Sequence, residues 1–239
     1  MSNAGYVSLT RQSGLLKEMQ AVANNIANIS TTGFRREGVI FAEYVKATGK
    51  NSPSISLADA NGRLTDPSQG MLDPSGGTYD FALEGSGFFQ IETPDGNRLT
   101  RAGAFMSNAE GEIVSPDGYR LLDSGGAPIF VPPSAASVAL ARDGTLSADG
   151  VPLARVGIVL PQDPATLERQ GGVMFKTDSG LIPVEDPVVL QGFLEKSNVS
   201  PVGEMTRMIE VQRSYELGQK FLDREDERIR SVIRTLGQK

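Results

Sequence analysis

Acidic side chains are the first groups in this sequence to consider for chemistry, because Asp and Glu together number 29. Glu84, Glu92 and Asp95 lie close together in the chain, near predicted turns. A glycosidase needs two carboxyl groups about 5–9.5 Å apart across a cleft, and nothing in this spacing places any two of them in that way. The Asp-Gly pairs of the chain also do not continue into the spaced acidic loop of a calcium-binding EF-hand.

A glycine-rich stretch, Gly85-Ser86-Gly87, has the spacing of half a dinucleotide-binding loop. Gln90 stands where the third glycine of that loop would be. Predicted strands flank the stretch on both sides, whereas the nucleotide loop must lead into a helix. We therefore interpret the stretch as a turn.

The sequence contains neither cysteine nor histidine. Zinc, haem and iron–sulfur sites built on those ligands are excluded, and so are mechanisms that depend on Ser-His or Cys-His pairs. A disulfide framework is excluded as well. We expect a protein that is not an enzyme and that binds no cofactor or metal ion.

The composition indicates a folded, acidic chain with many turns. The chain has 239 residues, of which 27 are glycine and 14 are proline, and its formal charge is −6. DNA-binding modules usually present a basic face, so nucleic-acid binding is not expected. No apolar run approaches the roughly 18 residues of a membrane span, and the N-terminus lacks the pattern of a cleaved secretory signal. We expect no membrane insertion, and any export by a route without a cleaved Sec signal.

Apolar residues near the N-terminus recur with helical spacing, which predicts a helix from Ser2 to Ile29. Two heptad rows form one stripe on this helix: Leu9, Leu16 and Ala23 in the first, and Gln12, Met19 and Ile26 in the second. Leu15, Val22 and Ile29 form a further row beside it. The helix is expected to end in the polar stretch before Gly33, which can take a left-handed conformation.

The C-terminal stretch predicts a second helix from Pro201 to about Leu236, with Ser200 as its N-cap. One heptad row of this helix is apolar throughout: Met208, Tyr215, Leu222, Ile229 and Leu236. Its companion row is apolar at both ends and polar in the middle: Met205, Gln212, Gln219, Asp226 and Ile233. We expect the apolar positions of both helices to pack together, in the same subunit or between neighbours.

Short β segments separated by turn signals lie between the helices. Strand-like segments are Phe88–Glu92, Arg98–Arg101, Glu112–Val114, Tyr119–Leu122 and Ala154–Leu160. Asp-Gly pairs, the strongest short-range hairpin signal, occur at Asp95-Gly96, Asp117-Gly118, Asp143-Gly144 and Asp149-Gly150. Residues 48–77 are rich in Ser, Gly, Asp and Pro and are interpreted as an extended connector.

These patterns predict an α+β fold, in which a mainly antiparallel β domain is flanked by N- and C-terminal helices that pair in a coiled-coil-like helical domain. The expected divisions are 1–36 for the first helix and its loop, 37–78 for the connector, 79–195 for the β domain and 196–239 for the second helix. One seam between two helices leaves the row of Leu15, Val22 and Ile29 uncovered. Exposed apolar surface of this kind marks an assembly interface.

Three blocks of the sequence resemble the signatures of the flagellar rod, hook and hook-associated proteins. The first runs from Ala23-Asn24-Asn25-Ile26-Ala27-Asn28 through Ser30-Thr31-Thr32-Gly33-Phe34-Arg35-Arg36. The second comprises residues 80–90 and 100–105, and the third comprises residues 194–199 and 204–216. The short length and compact connector most resemble proximal-rod proteins; the distal-rod proteins of the same family, the alternative, are usually longer.

The resemblance implies a structural subunit of the flagellar basal-body rod, which crosses the periplasm. Its partners would be copies of itself, other rod proteins and the flagellar type III export apparatus, and its terminal helices would polymerise into a hollow helical shaft. The implied assembly residues are Leu9, Leu16, Met19, Ala23, Asn24, Asn25, Ile26, Asn28, Thr32, Gly33, Phe34, Met205, Met208, Ile209, Gln212, Tyr215 and Leu222. The asparagines are expected to hydrogen-bond between subunits.

A secreted adhesin or binding module carried on the β domain is the alternative from a different functional class. In such a protein the terminal helices would serve only the fold of their own chain, and both chain ends would resist protease. The rod interpretation instead predicts early proteolytic loss of both ends and a stable core near residues 79–195.

Overall fold

The computed structural model describes residues 3–46 and 55–237. The fold is α+β with antiparallel strand pairing throughout, as predicted. The chain forms two compact units, each built from discontinuous segments. Unit 1 comprises the described residues of 1–27, 37–66 and 200–239, and unit 2 comprises 28–36 and 67–199. The predicted connector 37–78 is divided between the two units.

Unit 1 contains both long helices, α1 (Asn3–Ala27) and α2 (Pro201–Leu236). The helix α2 begins as predicted, because the Ser200 hydroxyl accepts a hydrogen bond from the backbone N–H of Gly203 and proline occupies the first helical position. The helix α1 ends at Ala27, two residues before the predicted end. Neither helix, within the described residues, is long and apolar enough to cross a membrane.

A two-stranded hairpin completes unit 1. Strand β1 (Glu37–Lys46) pairs antiparallel with β2 (Ile55–Thr65), and the register shifts between Ile40 and Ala42. The sequence analysis predicted no strands here. It interpreted residues 48–77 as an extended connector from their Ser, Gly, Asp and Pro content, and it assigned no strand to the apolar segment Val39–Val45. Residues 47–54, which belong to the predicted connector, lie outside the described residues. Helix α1 contacts both α2 and this hairpin.

Unit 2 is built from sixteen short strands. They are β3 (Leu72–Pro74), β4 (Phe81–Glu84), β5 (Phe88–Thr93), β6 (Gly96–Thr100), β7 (Met106–Ser107), β8 (Ile113–Val114), β9 (Arg120–Leu121), β10 (Val138–Leu140), β11 (Thr145–Ala148), β12 (Val151–Arg155), β13 (Ile158–Pro161), β14 (Glu168–Arg169), β15 (Met174–Lys176), β16 (Leu181–Pro183), β17 (Val188–Gln191) and β18 (Phe193–Glu195). The largest sheet has the order β14-β15-β6-β5-β9-β8-β7, and β13 pairs with both β5 and β16. Smaller sheets are β10-β11-β12, β17-β4 and β18-β3.

The four Asp-Gly pairs lie where the sequence predicted hairpin turns. They connect β5 to β6, β8 to β9, β10 to β11 and β11 to β12. Each glycine has a positive φ, between 80° and 99°, which a residue with a Cβ adopts only with strain. The prediction of closely spaced antiparallel strands is therefore confirmed at these turns.

The predicted single strand Ala154–Leu160 is wrong, because the segment is divided between β12 and β13. The break falls at Gly157, whose N–H donates to the carbonyl of Leu122 at 2.9 Å. A Cβ at this position would lie 2.5 Å from the carbonyl oxygen of Asp123. The close approach of another backbone bends the chain here, and the local apolar pattern does not reveal it.

The core of unit 2 contains three mutually packed phenylalanines. Phe89 is fully buried and meets the ring of Phe105 edge to face, with 5.6 Å between ring centroids. Phe81, also fully buried, lies 5.9 Å from Phe105. Aliphatic side chains from several strands surround them, including Ile91, Ile113, Leu121 and Leu146. Unit 2 therefore has a closed apolar core of its own.

Candidate assembly site

The N-terminal signature divides between the two units, and its loop, residues 28–36, belongs to unit 2. Gly33 has φ +69°, and its N–H donates to the backbone carbonyl of Glu195 at 2.7 Å. A Cβ at Gly33 would lie 2.2 Å from the backbone nitrogen of Ala102, so only glycine fits. Phe34 is 1% exposed, and the guanidinium of Arg169 stacks on its ring at 4.3 Å.

A buried ionic cluster joins this loop to the other two signature blocks. The carboxylate of Glu195 accepts hydrogen bonds from Arg101 Nε at 2.8 Å and from the Gly70 backbone N–H at 3.0 Å, and it pairs with Arg35 Nη2 at 3.0 Å. The side chains of the three charged residues are 0–5% exposed. We name Arg35, Arg101 and Glu195 the ionic cluster.

Burial affects the protonation of Arg101. Desolvation lowers its pKa to about 10, while the negative charge of Glu195 opposes that shift. Arg101 is therefore still charged at neutral pH, and its two terminal nitrogens donate to the carbonyls of Gly87 and Gly85, each at 2.8 Å. The Gly85-Ser86-Gly87 stretch thus forms the turn that was predicted, with its carbonyls directed at a guanidinium.

Sequence reasoning missed the ionic cluster as a site. Arg35, Arg101 and Glu195 each stand inside one of the three signature blocks, but no local pattern indicates that blocks so far apart in the chain meet. Asn198 of the third block adds to the junction: its Oδ1 accepts from the N–H of Arg36 at 2.6 Å, and its N–H donates to the carbonyl of Phe34 at 3.3 Å. The signature loop is therefore a structural part of unit 2.

In unit 1, the seam between α1 and α2 uses different heptad rows from those predicted. Leu15 and Val22 of α1 are 9% and 4% exposed and Val211 of α2 is 2% exposed, whereas Leu9 and Leu16 remain 47% and 43% exposed. The row of Leu15 and Val22, which the sequence analysis left uncovered within the chain, is thus the buried row. Leu9 and Leu16 therefore lie largely outside the buried seam, and their packing, in the same subunit or in neighbours, stays a prediction.

Polar side chains explain why the buried row of α1 differs from the predicted row. Gln12 Nε2 donates to the carbonyl of Tyr215 at 2.9 Å, and Arg207 Nε donates to Glu18 Oε1 at 2.6 Å. Both Gln12 and Glu18 are more than nine-tenths buried. Because a polar group with a partner can be buried at little cost, a search for apolar stripes selects the wrong row. The pairs also show that α1 and α2 run antiparallel, since higher numbers on α1 meet lower numbers on α2.

Asn25 is the most constrained of the predicted interface residues. It is fully buried, and its Nδ2 donates to the Glu37 carbonyl at 2.8 Å and to Glu204 Oε2 at 3.1 Å, while its Oδ1 accepts from the Glu37 N–H at 2.9 Å. Its amide therefore connects α1, α2 and β1 within one chain. Asn24 lies 3.4 Å from Glu37 Oε2, and Asn28 accepts from the Thr31 hydroxyl at 3.0 Å. A role for these amides between subunits stays a prediction.

The other predicted interface residues differ in exposure. Half-buried are Met19, Ile26, Thr32, Met208, Tyr215 and Leu222, and exposed are Ala23, Met205, Ile209 and Gln212. Met205 and Ile209 are 55% and 51% exposed, so they too lie outside the seam of their own chain. Met208, Tyr215 and Leu222, the predicted pairing row on α2, are half-buried, and their packing stays a prediction. The buried apolar residue of α2 is Val211, which lies in neither predicted row.

Three family profiles match this chain, in the order and at the places of the three signature blocks. The profile for the flagella basal body rod protein matches residues 6–35. The profile for the D1 domain of the flagellar hook protein FlgE/F/G matches residues 82–148. The profile for the C-terminal part of the flagellar basal body rod FlgEFG proteins matches residues 190–235.

Curated relatives match the chain over nearly its full length. The flagellar basal-body rod protein FlgF of Caulobacter vibrioides is 39% identical, with 99% of each chain covered, and that of Mesorhizobium japonicum is 34% identical, with 100% of each covered. The flagellar basal-body rod protein FlgG of Bacillus subtilis is 30% identical, with 95% of this chain and 97% of that one covered. The chain belongs to the flagellar basal-body rod protein family.

Proposed function

We propose that this chain is a structural subunit of the flagellar basal-body rod, of the FlgF type, and not an enzyme. Relatives named FlgF are 32–39% identical, with 99–100% of both chains covered, whereas relatives named FlgG are 26–34% identical, with 90–95% of this chain covered. FlgF is therefore favoured over the distal-rod alternative. The proximal segment of the rod is the corresponding place in the assembly.

The observation that carries this proposal is the exposed apolar surface on both terminal helices. Leu9 and Leu16 of α1 are nearly half exposed, and Met205, Ile209 and Leu217 of α2 are 51–67% exposed. Apolar surface of this extent normally finds a partner. The two helices of unit 1 are thus suited to packing against other molecules, in a coiled-coil-like arrangement that continues from subunit to subunit.

An assembly of this kind is open and helical. The apolar patches on α1 and α2 differ from one another, so contacts between copies are heterologous, and a rotation that does not close produces a helical filament. The partners are further copies of this chain and the rod proteins next to it, and the location is the part of the basal body that crosses the periplasm. Export of the chain through the flagellar type III apparatus needs no cleaved Sec signal.

A charge placed on the exposed stripe of α1 tests the proposal. Leu16→Asp introduces a carboxylate where neighbouring subunits would pack, and it leaves the buried seam of unit 1 and the core of unit 2 unchanged. We expect cells that carry only this variant to lose the rod and swimming, while the purified variant keeps the near-UV circular dichroism and the unfolding transition of unit 2. Leu153→Asp is the matched control, since Leu153 is 37% exposed on unit 2, and it should still swim. A normal rod built from Leu16→Asp contradicts the proposal.

A further inference from the structure

A groove of about 410 Å³ lies between α1 and α2 in unit 1. Leu15 of α1 and Leu217 and Phe221 of α2 supply its apolar surface, and Arg11 lies among its lining residues. Leu217 and Phe221 are 67% and 43% exposed. Gly218 also lines the groove, and a Cβ there would lie 2.0 Å from Gln12 Nε2, so the missing side chain makes room for Gln12.

The groove contains a buried acceptor without a donor. Gln12 lines the groove and is 6% exposed. Its Nε2 donates to the Tyr215 carbonyl at 2.9 Å, but its Oε1 has no hydrogen-bond partner among the described residues. Buried polar atoms are nearly always paired, so this oxygen indicates that the groove is completed by a ligand that brings an N–H or O–H group.

The C-terminal stretch of α2, residues 226–236, which we name the free end, has the shape of such a ligand. Residues 226–236 are all exposed, and they extend about 16 Å at 1.5 Å per residue. Since Gln12 lies opposite Tyr215 and the helices are antiparallel, the first residue of α1, Asn3, lies opposite about residue 224, short of this stretch. Ile229, Val232, Ile233 and Leu236 are 39–70% exposed, with the i, i+3, i+4, i+7 spacing of a helix that fills a groove.

We propose that the groove between α1 and α2 receives the free end of α2, residues 226–236, from a second copy of this chain. The end cannot reach the groove of its own chain, because both belong to one continuous helix and Leu217 and Ile233 lie about 24 Å apart along its axis. This contact specifies which surfaces of two copies meet when the chain assembles into a rod. The inference rests on the proposed function as a rod subunit.

The charges of the two surfaces are complementary. Arg11 has no ion pair among the described residues. Asp226 occupies the same heptad row as Ile233, so its carboxylate enters the groove together with the apolar face. Arg230, which pairs with Asp226 at 2.8 Å, carries five N–H donors and brings the donor that Gln12 Oε1 lacks. Because the groove and the free end are different patches, each added copy presents a new free end, and the chain of contacts stays open.

Disulfide trapping tests this contact directly, because the natural chain contains no cysteine. A variant with Leu217→Cys and Ile233→Cys has one thiol in the groove and one on the free end. A disulfide needs Cα atoms within about 7 Å, so a bond between these positions must link two copies. After mild oxidation of isolated basal bodies from cells that carry only this variant, we expect a ladder of dimers and longer species on a non-reducing gel. The matched control, Leu217→Cys with Glu227→Cys, places the second thiol on the opposite face of the helix and should give no ladder.

Two results overturn the contact: a variant that is present in basal bodies but migrates only as monomer, or a control that forms the same ladder. Absence of the natural chain from basal bodies refutes the proposed function instead, so the two failures are distinguishable. If the cysteine variant does not assemble, reversing the charges of Arg11 and Asp226 tests the contact instead. Arg11→Glu and Asp226→Arg should each lower the amount of chain incorporated, and the two together should restore it; a double variant no better than the singles overturns the contact.

Discussion

The two units of this chain place their apolar side chains in opposite ways. Unit 2 buries its large apolar residues, with Phe81, Phe89 and Phe175 fully inaccessible. Unit 1 buries a narrow seam around Leu15 and Val22 and leaves much of both helices exposed. Since each buried aliphatic or aromatic side chain contributes about 1.5–3 kcal/mol, unit 2 has the means to be stable alone, and unit 1, which buries fewer such side chains, gains less from its own packing.

The two units also use buried charge differently. The ionic cluster of unit 2 places one carboxylate between two guanidinium groups, all nearly inaccessible to water, so it holds the signature loop in one position. The principal ion pair of unit 1, between Glu18 and Arg207, is open to solvent on the arginine side, which is 48% exposed. Because water reaches the arginine of this pair, breaking the pair costs less than breaking the ionic cluster, whose charges are all buried. The difference suits a rigid body in unit 2 and an adjustable seam in unit 1.

The largest effect is expected in the core of unit 2. Phe89→Ala removes a fully buried ring in contact with Phe105, and we expect a loss of about 3–5 kcal/mol in the free energy of unfolding. Urea unfolding followed by near-UV circular dichroism measures it. Phe130→Ala is the control, because Phe130 is 52% exposed, and it should cost less than about 1 kcal/mol. Equal losses would remove the distinction between a closed core and an exposed surface.

The ionic cluster offers the next largest effect. Glu195→Gln keeps an acceptor for the Gly70 N–H but leaves Arg35 and Arg101 as two buried cations without a counter-charge, and we expect a loss of about 3 kcal/mol in unit 2. The same urea titration measures it. Lys196→Met removes an exposed pair with Asp73 and should change stability by less than about 1 kcal/mol. A Glu195→Gln protein as stable as Lys196→Met would show that the cluster does not hold the loop.

A moderate effect is expected at Asn25 in unit 1. Asn25→Ala removes three hydrogen bonds that connect α1, α2 and β1, which we expect to destabilise the start of α2 and the end of α1 locally by about 2 kcal/mol. Hydrogen exchange read out peptide by peptide should show faster exchange there and no change in unit 2. Asn24→Ala, whose 3.4 Å contact with Glu37 is long, should have a smaller effect. Faster exchange in unit 2 as well would contradict the separation of the units.

The smallest effect is expected at the ion pair of the seam. Arg207→Met keeps much of the aliphatic side chain and removes the charge opposite Glu18, and we expect a local loss below about 1 kcal/mol. Hydrogen exchange of α1 in low and high salt measures this loss. Because salt screens the natural pair, high salt should bring the exchange rates of the natural protein and the variant closer to each other. A loss as large as that at Asn25 would show that the seam depends on charge rather than on its buried amide.

The elements with strong local signals could be predicted from the sequence. The start of α2 follows from the Ser200 cap and its proline, and the four Asp-Gly turns follow from the residue types that a positive φ requires. The left-handed conformation expected at Gly33 is confirmed. Glycine is required there because the backbone of Ala102 lies close by, and not because α1 ends there. These features depend on residues close together in the chain.

Features that depend on distant residues could not be predicted. The choice of heptad row on α1 is decided by partners that Gln12 and Glu18 find on α2, about 200 residues away in the chain. Arg101 and Glu195 are also distant in sequence, 94 residues apart. Both involve polar groups that a search for apolar periodicity treats as surface, and only the tertiary structure supplies the partners that make their burial favourable.

Hydrogen exchange of the purified, monomeric chain tests most directly whether unit 2 is complete alone and the helices await partners. We predict that residues 226–236 exchange close to the rate of an unfolded peptide, that the rest of α1 and α2 is weakly protected, and that β4, β5 and the loop 28–36 exchange only on global unfolding of unit 2. A monomer in which the free end of α2 is as strongly protected as β5 would contradict the account.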